Sequence, residues 1–392
     1  MRNNIKKIVV IADNYPSEGR PVLVFVQQLV EQFVNIGVEV VVIAPQSLTN
    51  SLVRGNKLNK RRSVEITSDN IKYQVYRPYF FTTGNHLRWA RGLVGAIKRK
   101  GILEIIKEIN PDVIYGHFWH NLLPVYKYAY KKNIPLFVAC GEGDNALEEL
   151  VADIKPQDKS ILVGAVKGVI SVSSENKRKC ITFGLAKSED IIVLPNCVNT
   201  DIFVPGDNEE LKTHLGIQNS DFVIAFVGSF IPRKGPKRLT DAISKIQDGN
   251  IKSLFIGSPH LGGEEYPEGD SIIFKGSVDH DLIPQYLQVA NLFVLPTLKE
   301  GCSNAIVEAL VTGLPVVSSN GSFNDDILNE NNSIRVNPMD VDQIANAIKC
   351  MKEDVVFYNK CKKYLLSNRH KYSISDRAKK ILQFIDDQIN KS

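Results

Sequence analysis

Residues 292–319 read LFVLPTLKEGCSNAIVEALVTGLPVVSS. A short apolar run, Leu292–Pro296, leads into a loop carrying Glu300-Gly301. Ser303 is then placed to cap a helix running to Thr312, and a second apolar run follows at Pro315–Ser319. Strands that are apolar throughout, joined by a helix, predict a parallel sheet covered on both faces.

The same unit recurs along the chain. Apolar runs stand at Lys7–Asp13, Val38–Pro45, Asp112–His117, Pro135–Cys140, Gly168–Ser173 and Ile191–Asn196. Between the first two, Val26, Leu29, Val30, Phe33 and Val34 fall at i, i+3, i+4, i+7, i+8, the stripe of an amphipathic helix ended by Gly37. After Pro205 the pattern restarts with Phe222–Gly228, Ile251–Gly257 and Ser271–Gly276. The fold class expected is therefore α/β, with two doubly wound Rossmann-like domains facing across a cleft. The boundaries expected are 1–204 and 205–373. The last stretch, Ser373–Ile389, is helical, but periodicity does not say which half it joins.

A chain of 392 residues is long for one core and agrees with two. Its charge is unevenly spread. Residues 1–204 hold 27 Lys/Arg against 19 Asp/Glu, a net of +8, whereas residues 205–392 hold 21 against 24, a net of −3. Twelve of those basic residues lie between Arg54 and Lys100, with only Glu65 and Asp69 opposing them. No apolar run approaches the roughly 18–20 residues of a membrane span. The charged start before Ile8 resembles a signal peptide, but its apolar core stops at Asp13 and reads as a strand. Six scattered cysteines without a C-x-x-C pair suit free thiols in a reducing cytoplasm better than zinc. Neither G-x-G-x-x-G nor G-x-x-x-x-G-K-[ST] occurs, which disfavours a nicotinamide dehydrogenase and a P-loop ATPase.

Chemistry concentrates in the second half. A strand ends at Gly228, and the loop Ser229-Phe230-Ile231-Pro232-Arg233-Lys234-Gly235 follows. Adjacent Arg and Lys offer a planar fork and a point charge, which suit a diphosphate, although a solvated loop reads the same way. Glu300 precedes the helix capped by Ser303 and Glu308 lies within it, so a ligand across the helix start would meet both. A capping acid and an exposed helix glutamate are the plainer account.

Taken together, Gly228–Gly235 with its Arg-Lys-Gly, the spacing of Glu300 and Glu308 (E-x7-E) and Thr312-Gly313-Leu314-Pro315-Val316-Val317 resemble the retaining glycosyltransferases of family 4, two-domain GT-B enzymes using nucleotide-diphosphate sugars. Lys275-Gly276-Ser277-Val278 is similar to the segment near the nucleotide base, and Pro195-Asn196-Cys197-Val198-Asn199 to the family's interdomain linker. The resemblance implies that Arg233 and Lys234 bind the donor diphosphate and that Glu300 contacts the transferred sugar. Gly228, Ser229, Val278, Gly301, Cys302, Ser303, Asn304 and Glu308 would line the rest of the donor site, with Glu308 on the ribose. It further implies a final helix, 374–392, that crosses back to an acceptor-binding first domain. No metal and no resident cofactor are expected, the nucleotide sugar being a substrate.

Departures fall mostly in the first half. Where the family often has His-Gly-Ser-Asp, this chain has Cys140-Gly141-Glu142-Gly143-Asp144. The missing histidine's contact with sugar passes to His117, His120, Glu142 or Asp144, or is dropped; a structural imidazole is the competing account of either histidine. Leu23-Val24 stands where the family has a glycine in its first loop, and Ser229 where many members have arginine. From Arg54 to Lys100, cations alternate with Tyr73, Tyr76, Tyr79, Phe80, Phe81 and Trp89. Such a stretch suits single-stranded nucleic acid, an anionic leaflet or a solvated helix face; lipid-linked acceptors in the family favour the leaflet, and no nucleic acid is expected. The expectation is a metal-independent hexosyltransferase acting from a UDP- or GDP-sugar on a glycan or lipid-linked saccharide, cytoplasmic and peripheral to the membrane. A non-catalytic GT-B subunit and a nucleotide-sugar epimerase are the alternatives.

Overall fold

A computed structural model of the chain describes residues 5–17, 23–53, 58–82, 91–143, 145–259 and 263–391. It divides into two compact units, Met1–Leu194 with Ser375–Ser392, and Pro195–Ile374.

The strands of the first unit are β1 (Lys7–Ile11), β2 (Glu39–Ile43), β3 (Gln46–Ser47), β4 (Arg62–Ile66), β5 (Lys72–Tyr76), β6 (Tyr79–Phe80), β7 (Val113–His117), β8 (Leu136–Cys140), β9 (Val166–Ser171) and β10 (Ile191–Val193). Eight of them form one sheet in the order β10-β9-β8-β7-β1-β2-β5-β4. Every pair is parallel except β4–β5, while β3 and β6 pair separately. Residues Ile8 to Ile11 are buried on both faces, as a central parallel strand requires. Helix Val24–Asn35 buries the five residues of the expected stripe, each contributing about 1.5–3 kcal/mol by transfer. Strand order reverses between β1 and β7, so the loops after them border the crevice where such sheets take ligands.

In the second unit the strands are β11 (Phe222–Val227), β12 (Ile251–Ile256), β13 (Ile272–Gly276), β14 (Leu292–Leu295), β15 (Val316–Ser319) and β16 (Ser333–Val336). All are parallel, in the order β13-β12-β11-β14-β15-β16, with the reversal between β11 and β14. The final helix, Ile374–Asn390, returns to the first unit. Its Ala378, Ile381, Leu382 and Ile385, at i, i+3, i+4, i+7, are buried. Phe384 meets Phe137 edge-on at 6.3 Å, and Gln388 donates to the Glu189 carbonyl at 3.2 Å.

Part of the basic stretch, with Lys98, Arg99 and Lys100, lies on the helix Arg91–Ile109, but the rest of its described residues form no solvated helix face. Its centre is the antiparallel pair β4–β5 at the sheet edge, which alternation of Val64 and Ile66 with polar neighbours does not announce as a buried strand. Arg77 is buried there, donating to Ser63 Oγ at 2.7 Å and to the Pro16 carbonyl at 3.0 Å. Arg61, Arg62 and Lys98 lie over the rings of Tyr79, Tyr76 and Phe80 at 4.9, 5.0 and 5.2 Å. Much of the cation–aromatic alternation thus serves the unit's own packing. Arg54, Lys57, Arg88 and Trp89 lie outside the described residues. Among the described residues no helix is long and apolar enough to cross a membrane.

Candidate active site

The reversal between β11 and β14 brings together two loops that are about 65 residues apart in sequence. After β11 the chain turns tightly, Lys234 N–H donating to the Ile231 carbonyl at 3.0 Å. Phe230 is buried and its N–H donates to the Ser258 carbonyl at 2.9 Å, which anchors the loop from below. Gly235 caps the helix Pro236–Ile246 with φ 76°, a left-handed conformation, and a Cβ there would stand 2.8 Å from the Pro296 carbonyl oxygen. Arg238 ties the loops together by donating to the carbonyls of Pro232 and Pro296, both at 2.8 Å. Leu298 N–H donates to the Arg233 carbonyl at 2.8 Å.

Within this frame one carboxylate oxygen collects three donors. Glu300 Oε1 accepts from Lys234 Nζ at 2.5 Å, from Thr297 Oγ1 at 2.7 Å and from Arg233 Nη1 at 3.2 Å. Arg233 also donates to the Lys299 carbonyl at 2.6 Å. The Lys234 and Glu300 side chains are only 15% and 11% exposed, whereas Arg233 is 43% exposed, so the lysine pair is less screened by water. Thr297 is fully buried and belongs to the same set; its neighbours in sequence give no sign that it would hold a carboxylate.

Ser303 caps helix Asn304–Thr312 by accepting from Ile306 N–H at 3.4 Å, and the helix ends at Gly313. Gly301 is buried immediately before this positive helix end. Cys302 and Asn304 are held by Asn196, whose Nδ2 donates to the Cys302 carbonyl at 3.1 Å and to Asn304 Oδ1 at 2.8 Å. Gly228 and Ser229 follow β11, and Val278 packs on the core after β13. Glu308 is 5% exposed, so it is no surface glutamate: its Oε1 lies 3.2 Å from His280 Nε2. That hydrogen bond raises the His280 pKa above its ordinary value, burial opposing. Two Asp-x-Asp spacings do other work. Asp340 caps helix Val341–Glu353 while Asp342 pairs with Lys245, and Asp279 and Asp281 flank His280.

The first-unit candidates sit differently. His117 closes β7, is 4% exposed, and neither ring nitrogen has a hydrogen-bond partner among the described residues. Phe118 and Phe25 lie 4.8 and 5.4 Å from its ring. Burial first, then Arg377 and His120, push its pKa down to about 3, so it is neutral at physiological pH. Glu142 Oε1 accepts from Trp119 N–H at 3.0 Å, and burial raises its pKa. His120 is half-exposed, with Nε2 3.7 Å from Asp13 Oδ2, and burial lowers its pKa. Asp144 lies outside the described residues. A cavity of about 370 Å³ opens beyond β1 and β2, lined by Asp13, Tyr15, Gln46, Asn50, Arg77 and Lys98 among others. Lys98 Nζ pairs with Asp13 at 2.8 Å. The reading of the sequence passed over Asp13, although its place just after the first strand marks it.

Two α/β units, each with its polar loops at a strand-order reversal, are the architecture of the GT-B fold. Residues 22–202 match the family described as Glycosyltransferase Family 4, and residues 221–354 match Glycosyl transferases group 1. The chain thus carries a family 4 and a group 1 glycosyltransferase domain. It is 25% identical over 359 residues to TuaC of Bacillus subtilis, a glycosyltransferase named for teichuronic acid biosynthesis, spanning 87% of this chain and 88% of that protein. It is 30% identical over 244 residues to the UDP-Gal:alpha-D-GlcNAc-diphosphoundecaprenol alpha-1,3-galactosyltransferase of Escherichia coli, spanning 57% of this chain and 61% of that one. Among solved structures, sucrose-phosphate synthase from Thermosynechococcus elongatus has a TM-score of 0.76 at 17% identity, over 99% of this chain and 100% of its own. Anabaena HepE in complex with UDP-glucose gives 0.69 at 16% identity, over 96% and 99%.

Proposed function

We propose that the chain moves a hexose, with retention of configuration, from a UDP-sugar to a hydroxyl of a glycan or lipid-linked saccharide in surface polysaccharide synthesis. The observation that carries this reading is the convergence of Arg233, Lys234 and Glu300 at the reversal between β11 and β14, beside the helix that holds Glu308. The E. coli relative is named for a UDP-sugar donor and a diphosphoundecaprenol acceptor, and the B. subtilis relative for a cell-wall polymer; both support the choice of substrates.

In this reading the donor's diphosphate replaces Glu300 as the partner of Lys234 and Arg233. Glu300, released, accepts from sugar hydroxyls, while amides of Gly301 to Asn304 meet sugar and phosphate oxygens. Glu308 accepts from the ribose hydroxyls. As the bond from the anomeric carbon to the diphosphate breaks, charge gathers on the leaving oxygen, where Lys234 and the helix dipole stabilise it without a metal. The acceptor oxygen bonds to the anomeric carbon on the face the diphosphate leaves, and its proton passes to a phosphate oxygen. The acceptor is assigned to the first unit, near the Asp13 cavity and His120; the roles of His117, Glu142 and Asp144 belong to the same assignment. Arg62 with the exposed Val64 and Ile66 suits docking at an anionic inner leaflet.

Thermal unfolding with a panel of sugar nucleotides tests the donor. A true donor at about one hundred times its dissociation constant adds about 2.7 kcal/mol, and a rise in Tm with a UDP-sugar is expected. No shift with any sugar nucleotide would sink the assignment. Retention of the protein on anionic vesicles at low salt, and its release at high salt, tests the docking surface.

A further inference from the structure

We infer that the segment where the chain passes from one unit to the other, residues 195–204, braces the donor site, and that Asn196 and His280 are its positioning residues. The inference rests on the donor reading above and assigns work to residues outside the set that touches the donor.

The segment reaches the E-x7-E element twice, directly between the two glutamates and through His280 at Glu308. Asn196 spends both donors of its amide on the loop before the helix, one on the Cys302 carbonyl at 3.1 Å and one on Asn304 Oδ1 at 2.8 Å. Farther along, Phe203 is fully buried and meets the His280 ring edge-on, 5.7 Å between centroids at 66°. His280 in turn holds Glu308 Oε1 at 3.2 Å. The segment itself is fastened to the rest of the second unit. Arg369 Nη2 donates to the carbonyls of Thr200 and Phe203 at 2.5 and 3.0 Å. Val198 exchanges backbone hydrogen bonds with its neighbours across the bridge to Ser373, its N–H donating to Tyr372 and its carbonyl accepting from Ile374, both at 3.0 Å. Gln288 Nε2 donates to the Val204 carbonyl at 3.1 Å.

The physical consequence is positional. A loop whose amides must point at a diphosphate gains affinity when its geometry is fixed before the ligand arrives. Asn196 fixes the carbonyl of Cys302 and the side chain of Asn304, and thereby the peptide planes between them. A glutamate with several side-chain rotamers is likewise held in one by its bond to His280, whose ring Phe203 keeps in place. The charged groups around that ring are Glu308 on the facing helix and Asp281 beside it.

The test uses the full chain with UDP as the probe in calorimetry, and donor KM and kcat in transfer. Asn196→Asp keeps the side chain's shape but removes both donors, and His280→Ala removes the hold on Glu308. Each is expected to weaken UDP about five- to tenfold, the worth of one or two net hydrogen bonds, and to raise KM more than it lowers kcat. His280→Gln, which can still donate to Glu308, is expected to recover most of the loss. In a Glu308→Ala background, His280→Ala is expected to add nothing, because it acts through the missing carboxylate. Unchanged UDP affinity in both single variants, with Glu308→Ala clearly weakened, overturns the brace while the donor reading stands. UDP affinity unmoved by Glu308→Ala overturns the donor reading, and the brace with it. Full additivity in the double variant, or a loss in His280→Gln equal to that in His280→Ala, reduces His280 to a packing residue.

Discussion

The two units carry polar residues at equivalent places, the strand-order reversals, yet hold them in opposite ways. In the second unit Lys234, Arg233, Thr297 and Glu300 bond to one another, and Glu308 bonds to His280. In the first unit His117 Nδ1 and Nε2, Trp119 Nε1, Tyr115 Oη and Glu142 Oε2 are buried without hydrogen-bond partners among the described residues. The difference separates two kinds of binding. Ion pairs keep charges in position until a charged ligand exchanges for one member, whereas a buried neutral imidazole offers hydrogen bonding but no charge. On the proposed reading the second unit, rather than the first with its Lys98–Asp13 pair, takes the diphosphate.

The harshest challenge to this contrast is Lys234→Ala. It removes the less exposed cation, which the proposal sets at the leaving group, and kcat is expected to fall about 10²- to 10³-fold in a transfer assay with the selected donor. Arg233→Ala, on the more exposed partner, is expected to cost clearly less. Equal losses would mean that burial does not rank the two cations. Thr297→Val keeps shape and removes one donor from Glu300, for an expected loss of about three- to tenfold in kcat/KM.

A sharper comparison comes from pH, since the pKa values of the two histidines are shifted in opposite directions. The pKa of His280 is raised by Glu308, so the folded state holds that proton more tightly than the unfolded chain does. Its stabilisation is fully present below the ordinary value of about 6.5 and is lost as pH rises through the raised value. His117 is pushed down to about 3, so the unfolded chain takes up its proton first, and stability drains away from about pH 6.5 downward. Unfolding measured across pH should then show His280→Gln most damaging near pH 6 and nearly harmless at pH 9. His117→Gln should instead become relatively more favourable as pH falls toward 4. Parallel pH trends for the two variants would break the contrast.

How much of this was legible in the sequence follows from what each feature depends on. Central strands such as β1, β7, β11 and β14 are readable because burial on both faces forces continuous Val/Ile runs. Edge strand β4 and its neighbour β5 are less fully covered, and their alternating, charged composition read instead as a surface stretch. Motif residues were visible one loop at a time. The bond from Lys234 to Glu300 was not, because nothing local records that β11 and β14 are neighbours. His280 stands between two aspartates with nothing local to single it out, and only the fold sets it against Glu308. Asn196 likewise looked like a linker residue alone.

The mildest prediction compares how each unit starts the helix that follows its first strand. Gly235 in the second unit and Leu23 in the first occupy the same helix-entry position with left-handed backbones, φ 76° and 55°. Glycine adopts that region freely, while a side chain there costs about 1–2 kcal/mol. Leu23 therefore carries strain that Gly235 avoids. Leu23→Gly relieves it but also loosens the unfolded chain, so a net gain of about 0.5 kcal/mol is expected, read as a small rise in Tm. Gly235→Ala should go the other way and further, because strain is joined by the 2.8 Å approach of a Cβ to the Pro296 carbonyl oxygen. That carbonyl accepts from Arg238, which ties the loops after β11 and β14, so on the proposed reading Gly235→Ala should also weaken UDP binding while Leu23→Gly leaves it unchanged. Two left-handed positions that respond alike in both measurements would show that the second unit's glycine is spared only for its backbone, and not for the site it supports.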